Sequence, residues 1–180
     1  NDWEGLAEVL SAAADKAREA ATKIELSYRA AEVLIERLQQ PERAFRSYER
    51  ILAAEPTDAR AARALIPLYE EANNPKGLAS AIEVKLRHVT EGAECVALLT
   101  QVAEIYETKL RKPDVALERY LAAFALSPQS FEAADHVERV AGATAAWSQL
   151  IGAYQQALAA ITDPEVEVAM RLRLGRVLLD

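Results

Sequence analysis

Along most of this chain apolar residues return every three or four positions, as at Leu99, Val102, Ala103 and Tyr106 or at Met170, Leu174, Val177 and Leu178. That recurrence is one face of an α-helix. It is interrupted at short intervals by proline and by residues that cap or break helices. The spacing predicts ten helices, at about 2–17, 20–39, 41–54, 57–73, 75–89, 91–111, 113–126, 129–143, 145–161 and 164–179. Pro41 and Pro113 fall at first helical positions, where a missing N–H costs nothing. Thr57 or Asp58, then Ser130 and Asp163, stand where an N-cap is needed. No stretch shows the β-branched alternation of a strand.

The helices form a repeat. Shifted by 72 positions, Pro41, Ala44, Tyr48, Ala53 and Pro56 fall on Pro113, Ala116, Tyr120, Ala125 and Pro128. Trp3 and Leu6 fall on Pro75 and Leu78, and then on Trp147 and Leu150. Inside this long period lies a shorter one, 34 residues from Ala44 to Leu78 and 38 from Leu78 to Ala116. The unit is a pair of helices, and a single pair cannot bury both of its faces, so pairs must stack.

A helix pair of this length, with a small residue, an aromatic four later and a closing proline, resembles the tetratricopeptide repeat. Ala44, Tyr48 and Pro56, and again Ala116, Tyr120 and Pro128, look like that family's second-helix signature. Leu99-x2-Val102-Ala103-x2-Tyr106 and Ala62-x2-Leu65-Ile66-x2-Tyr69 are similar to its first-helix pattern, and Gly175 keeps the small-residue site in the last unit. There are departures. First helices lack the family's tryptophan, Glu138 replaces its glycine, and Leu78 and Leu150 stand where other units carry Ala44 and Ala116. The resemblance implies an all-α, right-handed α-α superhelix of about five such pairs over residues 1–180. The first and last helices lack their pair partners, so a longer parent array is expected. Ala31, Ala44, Ala103 and Ala116 are expected to let helices approach, with Tyr48 and Tyr120 filling between pairs. Trp3 and Trp147, in register with Pro75, are read as packing residues rather than exposed anchors.

Composition narrows the chemistry. With 51% hydrophobic residues the chain can bury a core, and no apolar run is long enough to span a bilayer. A net charge of −7 without a dense basic cluster argues against nucleic acid as partner. Cys95 is the single cysteine, which rules out an internal disulfide and suits a reducing compartment such as the cytoplasm. Arg in excess of Lys, with abundant Ala, is the usage of a GC-rich bacterial genome. His88, His136 and Cys95 are too scattered for a metal site or a nucleophilic dyad, and are read as two solvent-facing imidazoles and a packed thiol. Gly142 and Gly152 sit in helical surroundings, so no glycine-rich phosphate loop is present. Neither a catalytic residue nor a cofactor is expected.

The family resemblance places the working surface on the concave face of the first helices. Projecting each outward gives Glu25, Tyr28, Glu32 and Ile35, then Arg60, Arg63, Pro67 and Glu70. The second half supplies Ala97, Thr100, Glu104 and Glu107, then Glu132, Asp135, Arg139 and Gly142, then Ala169, Leu172, Arg176 and Leu179. Seven acidic residues face four basic ones, which favours a partner segment carrying basic and apolar residues. Tyr28, Glu32, Arg60, Arg63, Glu104 and Glu107 are the candidate contacts with a protein or peptide. The Lys/Asn clamp by which some tetratricopeptide proteins hold a chaperone's C-terminal carboxylate is not written at these places. Pro67 inside a helix predicts a kink beside Arg60 and Arg63. Self-association through the terminal helices, or service as the recruiting arm of a larger enzyme, are the rival roles.

Overall fold

The computed structural model describes residues 2–179, and among them there are ten α-helices and no strand. In chain order these are α1 (Trp3–Lys16), α2 (Ala20–Glu32), α3 (Phe45–Ala54), α4 (Ala59–Glu71) and α5 (Pro75–Leu86). Then come α6 (Gly92–Glu104), α7 (Pro113–Leu126), α8 (Phe131–Thr144), α9 (Trp147–Ala160) and α10 (Pro164–Leu179). Every predicted helix is present. The even-numbered ones are the first helices of the pairs and the odd-numbered ones the second. The predicted caps hold as well. The Asp58 carboxylate accepts the Ala61 N–H at 2.8 Å, and the Ser130 hydroxyl accepts that of Ala133 at 3.2 Å.

The chain divides into two compact units, residues 1–88 and 89–180. In the first, each helix returns beside its predecessor, and two ion pairs tie α1 to α3 and the turn before it. Arg43 meets Glu4 at 2.6 Å and Arg50 meets Asp15 at 2.7 Å. Small residues make the close approaches: Ala31, Ala44, Ala61, Ala62 and Ala81 are wholly buried, with Tyr48, Ile51, Leu65 and Tyr69 filling the spaces between them. The second unit repeats the plan. Ala103, Ala116, Ala134 and Ala141 are buried at its contacts, and Tyr120, Phe124, Leu150, Tyr154 and Met170 fill its core. Tyr120 is 1% exposed, so Tyr120→Ala is expected to cost about 3–5 kcal/mol.

The 72-residue period is written into the backbone as well. Gln39 and Arg111 adopt left-handed φ values of 56° and 55°, and Asn73 and Ala145 values of 47° and 55°. Helices α4 and α8 end in the ordinary way, with Asn74 N–H donating to the Tyr69 carbonyl and Ala146 N–H to that of Ala141, both at 2.9 Å. By contrast, α2 and α6 run on into π turns, Val33–Arg37 and Ile105–Lys109. There Leu38 N–H reaches the Val33 carbonyl at 3.1 Å, and Leu110 N–H that of Ile105 at 3.0 Å. A π turn holds one residue more than an α turn. Accordingly Ser27 precedes Ala44, and Leu99 precedes Ala116, by 17 positions, whereas Ala62 precedes Leu78, and Ala134 precedes Leu150, by 16.

Helix α4 continues across Pro67, which stands inside it. The carbonyl that loses its amide partner belongs to Arg63, an exposed residue, so water can serve it without the backbone breaking. The tryptophans, read as equivalent packing residues, are not alike. Trp3 is half-buried under the Arg37 guanidinium, 5.2 Å from its ring centre. Trp147 remains 44% exposed, with one ring edge near Gly142.

Candidate partner-binding face

In the first unit the α2 and α4 faces bring three of the predicted residues together. Arg60 lies over the Tyr28 ring at 4.3 Å and its Nη2 reaches Glu32 Oε1 at 3.1 Å. Tyr28 donates its hydroxyl to Asp58 Oδ1 at 2.6 Å, and its ring meets Tyr48 edge-on at 6.3 Å. Asp58 thus caps α4 and anchors Tyr28 at once, a double duty that its reading as a cap did not suggest. Burial, reinforced by the Asp58 hydrogen bond and charge, pushes the Tyr28 phenol well above its ordinary range. Arg63 lies one turn beyond Arg60, is exposed, and forms no ion pair among the described residues.

The second unit treats Glu104 and Glu107 differently. Glu104 is exposed, and its main-chain carbonyl accepts the Thr108 hydroxyl at 2.7 Å. Glu107, within the π turn, is drawn into a cluster: it pairs with Arg139 of α8 and accepts the Tyr120 hydroxyl at 3.2 Å. Burial works to raise the Glu107 carboxyl, but the Arg139 hydrogen bond and charge, with the Tyr120 hydroxyl, outweigh it and hold the group low. His136, expected to face solvent, is instead stacked on Tyr120, with ring centres 4.8 Å apart and planes 3° from parallel. Its Nδ1 accepts from Arg139 Nη2 at 3.3 Å. His88 is exposed as read, but its Nε2–H donates to the Thr57 carbonyl at 2.9 Å. Cys95 is buried, which raises its thiol.

Farther along the same unit, Arg173 of α10 meets Asp135 Oδ1 at 2.6 Å and Glu138 Oε2 at 3.2 Å, above the Phe131 ring. Glu138, which looked like a degenerate repeat position, also accepts the Tyr154 hydroxyl. A pattern emerges that single positions did not reveal. The hydroxyls of Tyr28, Tyr69, Tyr120 and Tyr154 each end on a carboxylate: Asp58, Glu49, Glu107 and Glu138. A buried phenol needs an acceptor, and an ionised carboxylate is a strong one. Burial first, and then the neighbouring carboxylate's charge, pushes Tyr69 and Tyr120 each to about 12.

Arg60, Arg139 and Arg173 each reach back to an acid on the preceding first helix, so much of the charge on these faces is already satisfied. Glu25, Arg63, Glu104, Glu132 and Arg176 remain exposed. Among the described residues no group of three or more His, Cys, Asp or Glu could hold a metal ion, and no helix is long and apolar enough to cross a membrane.

No family model matches the chain, and no curated protein matches it. Among solved structures it is similar to a crystal structure of MamA, at 13% identity and a TM-score of 0.43, over 87% of each chain. A second crystal structure of MamA gives 14% identity and a TM-score of 0.44, over 85% of this chain and 90% of that one. At these values the likeness assigns neither family nor function.

Proposed function

We propose that this chain is a tetratricopeptide-like protein-interaction scaffold, working by binding and not by catalysis. It holds an extended or helical segment of a partner protein against the outward faces of its first helices. The observation that supports this most is the division of labour on those helices. Ala30, Ala31, Ala62, Leu65, Val102, Ala103, Val137 and Ala141 are buried, whereas Glu25, Arg63, Glu104 and Glu132, at intervening turns, stay open to solvent. A face stiffened by cross-helix clasps yet still presenting separated charges suits a linear partner read by distributed contacts. Tyr28, Glu32, Arg60 and Glu107 contribute mainly by shaping this face, and Arg63 and Glu104 by meeting the partner.

The test is affinity capture from the source organism's lysate with the parent chain, with an Arg63→Glu/Glu104→Lys variant, and with a control on a second helix, Arg46→Glu. A partner retained by parent and control but lost by the variant supports the reading. A partner retained equally by all three overturns it.

Self-association is a second reading, favoured by the apolar exposure of α10. Val168, Leu172, Leu178 and Leu179 are 58%, 62%, 61% and 88% exposed. Sedimentation velocity of the parent and a Leu172→Glu/Leu178→Glu variant decides it: concentration-dependent mass that disappears in the variant supports assembly, and a monomer at all concentrations removes it.

A further inference from the structure

Helix α10 is a first helix, and its pattern Arg171-x2-Leu174-Gly175-x2-Leu178 falls on Leu99-x2-Val102-Ala103-x2-Tyr106 of α6 and its π turn. On α2, at the same places, the following second helix covers this face. Ser27 takes a hydrogen bond from Arg50 of α3 at 3.5 Å, and Tyr28 meets the Tyr48 ring. Ala31 and Ala103 are wholly buried. On α10 the corresponding residues are open. Arg171 and Leu172 are exposed, and a Cβ added at Gly175 would meet nothing within 4 Å. Leu178 is 61% exposed, where its counterpart Leu34 is 4%.

Helix α1 shows the opposite half. Leu6, Ala44, Leu78, Ala116 and Leu150 are one and the same position of the second helices, and of these only Leu6 is exposed, at 37%. Val9 is 66% exposed, whereas its counterpart Ala81 on α5 is wholly buried, in one cluster with Leu65 and Tyr69 of α4. The difference is a preceding first helix. On α5 that helix is α4, whose Tyr69 ring lies on Gly77, and on α9 it is α8. Gly77 corresponds to Gly5 of α1, and a cap side chain holds each amide, Asn74 at 3.0 Å and Asp2 at 2.8 Å. Tyr69 closes the pattern of α4 as Leu178 closes that of α10.

We propose that α10 of one copy of this chain receives α1 of a second copy, with Leu178 over Gly5, as Tyr69 lies over Gly77, and Leu6 in the room left by Gly175. The proposal rests on the self-association reading and names the two faces that meet. An uncovered first-helix face and an uncovered second-helix face are complements, as α4 and α5 are within the chain. The sizes agree: a leucine stands where Ala44 and Ala116 stand, and a glycine where Ala31 and Ala103 stand. Charge agrees as well. From 169 onward α10 carries Arg171, Arg173 and Arg176 and, among the described residues, no acid, whereas Asp2, Glu4 and Glu8 open α1. An antiparallel pair sets that basic half beside this acidic one. The two faces differ, so the contact runs head to tail and leaves α10 of the second copy open to a third.

The experiment is sedimentation velocity at stepped concentrations of the parent, of Leu6→Glu/Val9→Glu, of Leu172→Glu/Leu178→Glu, and of the two variants mixed in equal amounts, with the fold of each checked by circular dichroism. The expected result is a parent whose mass grows with concentration, two variants that stay monomeric alone, and a mixture that stops at a dimer. That dimer forms because each variant keeps the face the other has lost. Gly175→Leu fills the space meant for Leu6 while touching nothing in its own chain, and is expected to weaken association about tenfold or more. This variant keeps the test valid if a charged one misfolds. A parent that is monomeric throughout overturns the self-association reading and this proposal with it. An α1 variant that associates like the parent, a mixture that stays monomeric, or unchanged association in Gly175→Leu overturns the head-to-tail pairing alone.

Discussion

Gly77 and Gly152 are both helical glycines, and Ala should be preferred at either by local propensity, by about 0.5–1 kcal/mol. The structure predicts opposite outcomes. At Gly152 nothing lies within 4 Å of the added carbon, so Gly152→Ala is expected to stabilise by about the full 0.5–1 kcal/mol. At Gly77 the new carbon would fall 2.3, 2.5 and 2.6 Å from three atoms of the Tyr69 ring. That ring cannot step aside freely. It is 8% exposed, meets Phe45 edge-on at 5.2 Å, and is tied through its hydroxyl to Glu49. Overpacking of this kind costs about 1–3 kcal/mol, and loss of the hydrogen bond adds about 0.5–1.5. Gly77 also lies in the first turn, where its N–H donates to the Asn74 side chain, so the propensity gain is smaller. The net expectation for Gly77→Ala is a loss of about 1–3 kcal/mol. Urea unfolding followed by far-ultraviolet circular dichroism reads both variants, compared at constant m. Tyr69→Leu should then cost less in the Gly77→Ala background than in the parent, a coupling of at least about 0.5 kcal/mol. A Gly77→Ala protein as stable as the parent, or a strictly additive cycle, would refute the argument that Tyr69 dictates this glycine.

Three further outcomes follow from the same contacts. The Tyr69 and Tyr120 phenols ionise at about 12 in the fold, above the ordinary tyrosine value near 10, so the stability they confer is complete below pH ~10 and lost as pH rises towards 12. Ultraviolet titration of phenolate should show these two ionising late, and Tyr120→Phe should remove part of the alkaline loss. Glu107 is held low, so its contribution is present above the ordinary carboxylate range and lost as pH falls through its lowered value; in Arg139→Met burial, the Tyr120 hydroxyl and His136 remain without the guanidinium, and the acid-side loss measured by urea unfolding at stepped pH should shrink. Gln39 and Arg111 occupy left-handed backbone at a cost of roughly 1–2 kcal/mol, partly offset by glycine's greater freedom when unfolded. Gln39→Gly and Arg111→Gly should therefore each stabilise by up to about 1 kcal/mol, with Asn73→Gly gaining less because asparagine tolerates that conformation.

The fold was legible where sterics leave few choices. Pro41 and Pro113 mark helix starts, Asp58 and Ser130 are the caps they resembled, and Ala44, Tyr48, Ala116 and Tyr120 are buried as their spacing required. The alternation between 34 and 38 was visible too, but part of its cause was not. Val33–Arg37 and Ile105–Lys109 contain no glycine or proline to announce a π turn. The extra residue shows only as a spacing of 17 in place of 16 between first-helix and second-helix positions. A change of one in the distance between two apolar patterns is easily absorbed into an uncertain helix end. Similarly, the left-handed residues Gln39, Arg111 and Ala145 carry none of the usual signals for that conformation.

The candidate face was legible as a face but not as a set of partners, and the reason lies in the size of the forces. Buried positions recur at 72 because one misplaced methyl group in the core costs more than a kcal/mol. Ion pairs on an open face contribute about 0–1 kcal/mol each, so nothing compels them to keep register. Arg60 pairs 28 positions back with Glu32, Arg139 pairs 32 back with Glu107, and Arg173 pairs 38 back with Asp135. One shift along the period, Arg60 becomes Glu132, Arg63 becomes Asp135 and Ile35 becomes Glu107. Equivalent places on the two units thus carry opposite or unrelated chemistry although π turns and left-handed residues recur at the same positions. A partner that reads these faces must distinguish them by the residues that break the repeat. Within the first unit the clearest is Arg63, exposed and without an ion pair among the described residues, at the position where the second unit spends Asp135 on holding Arg173.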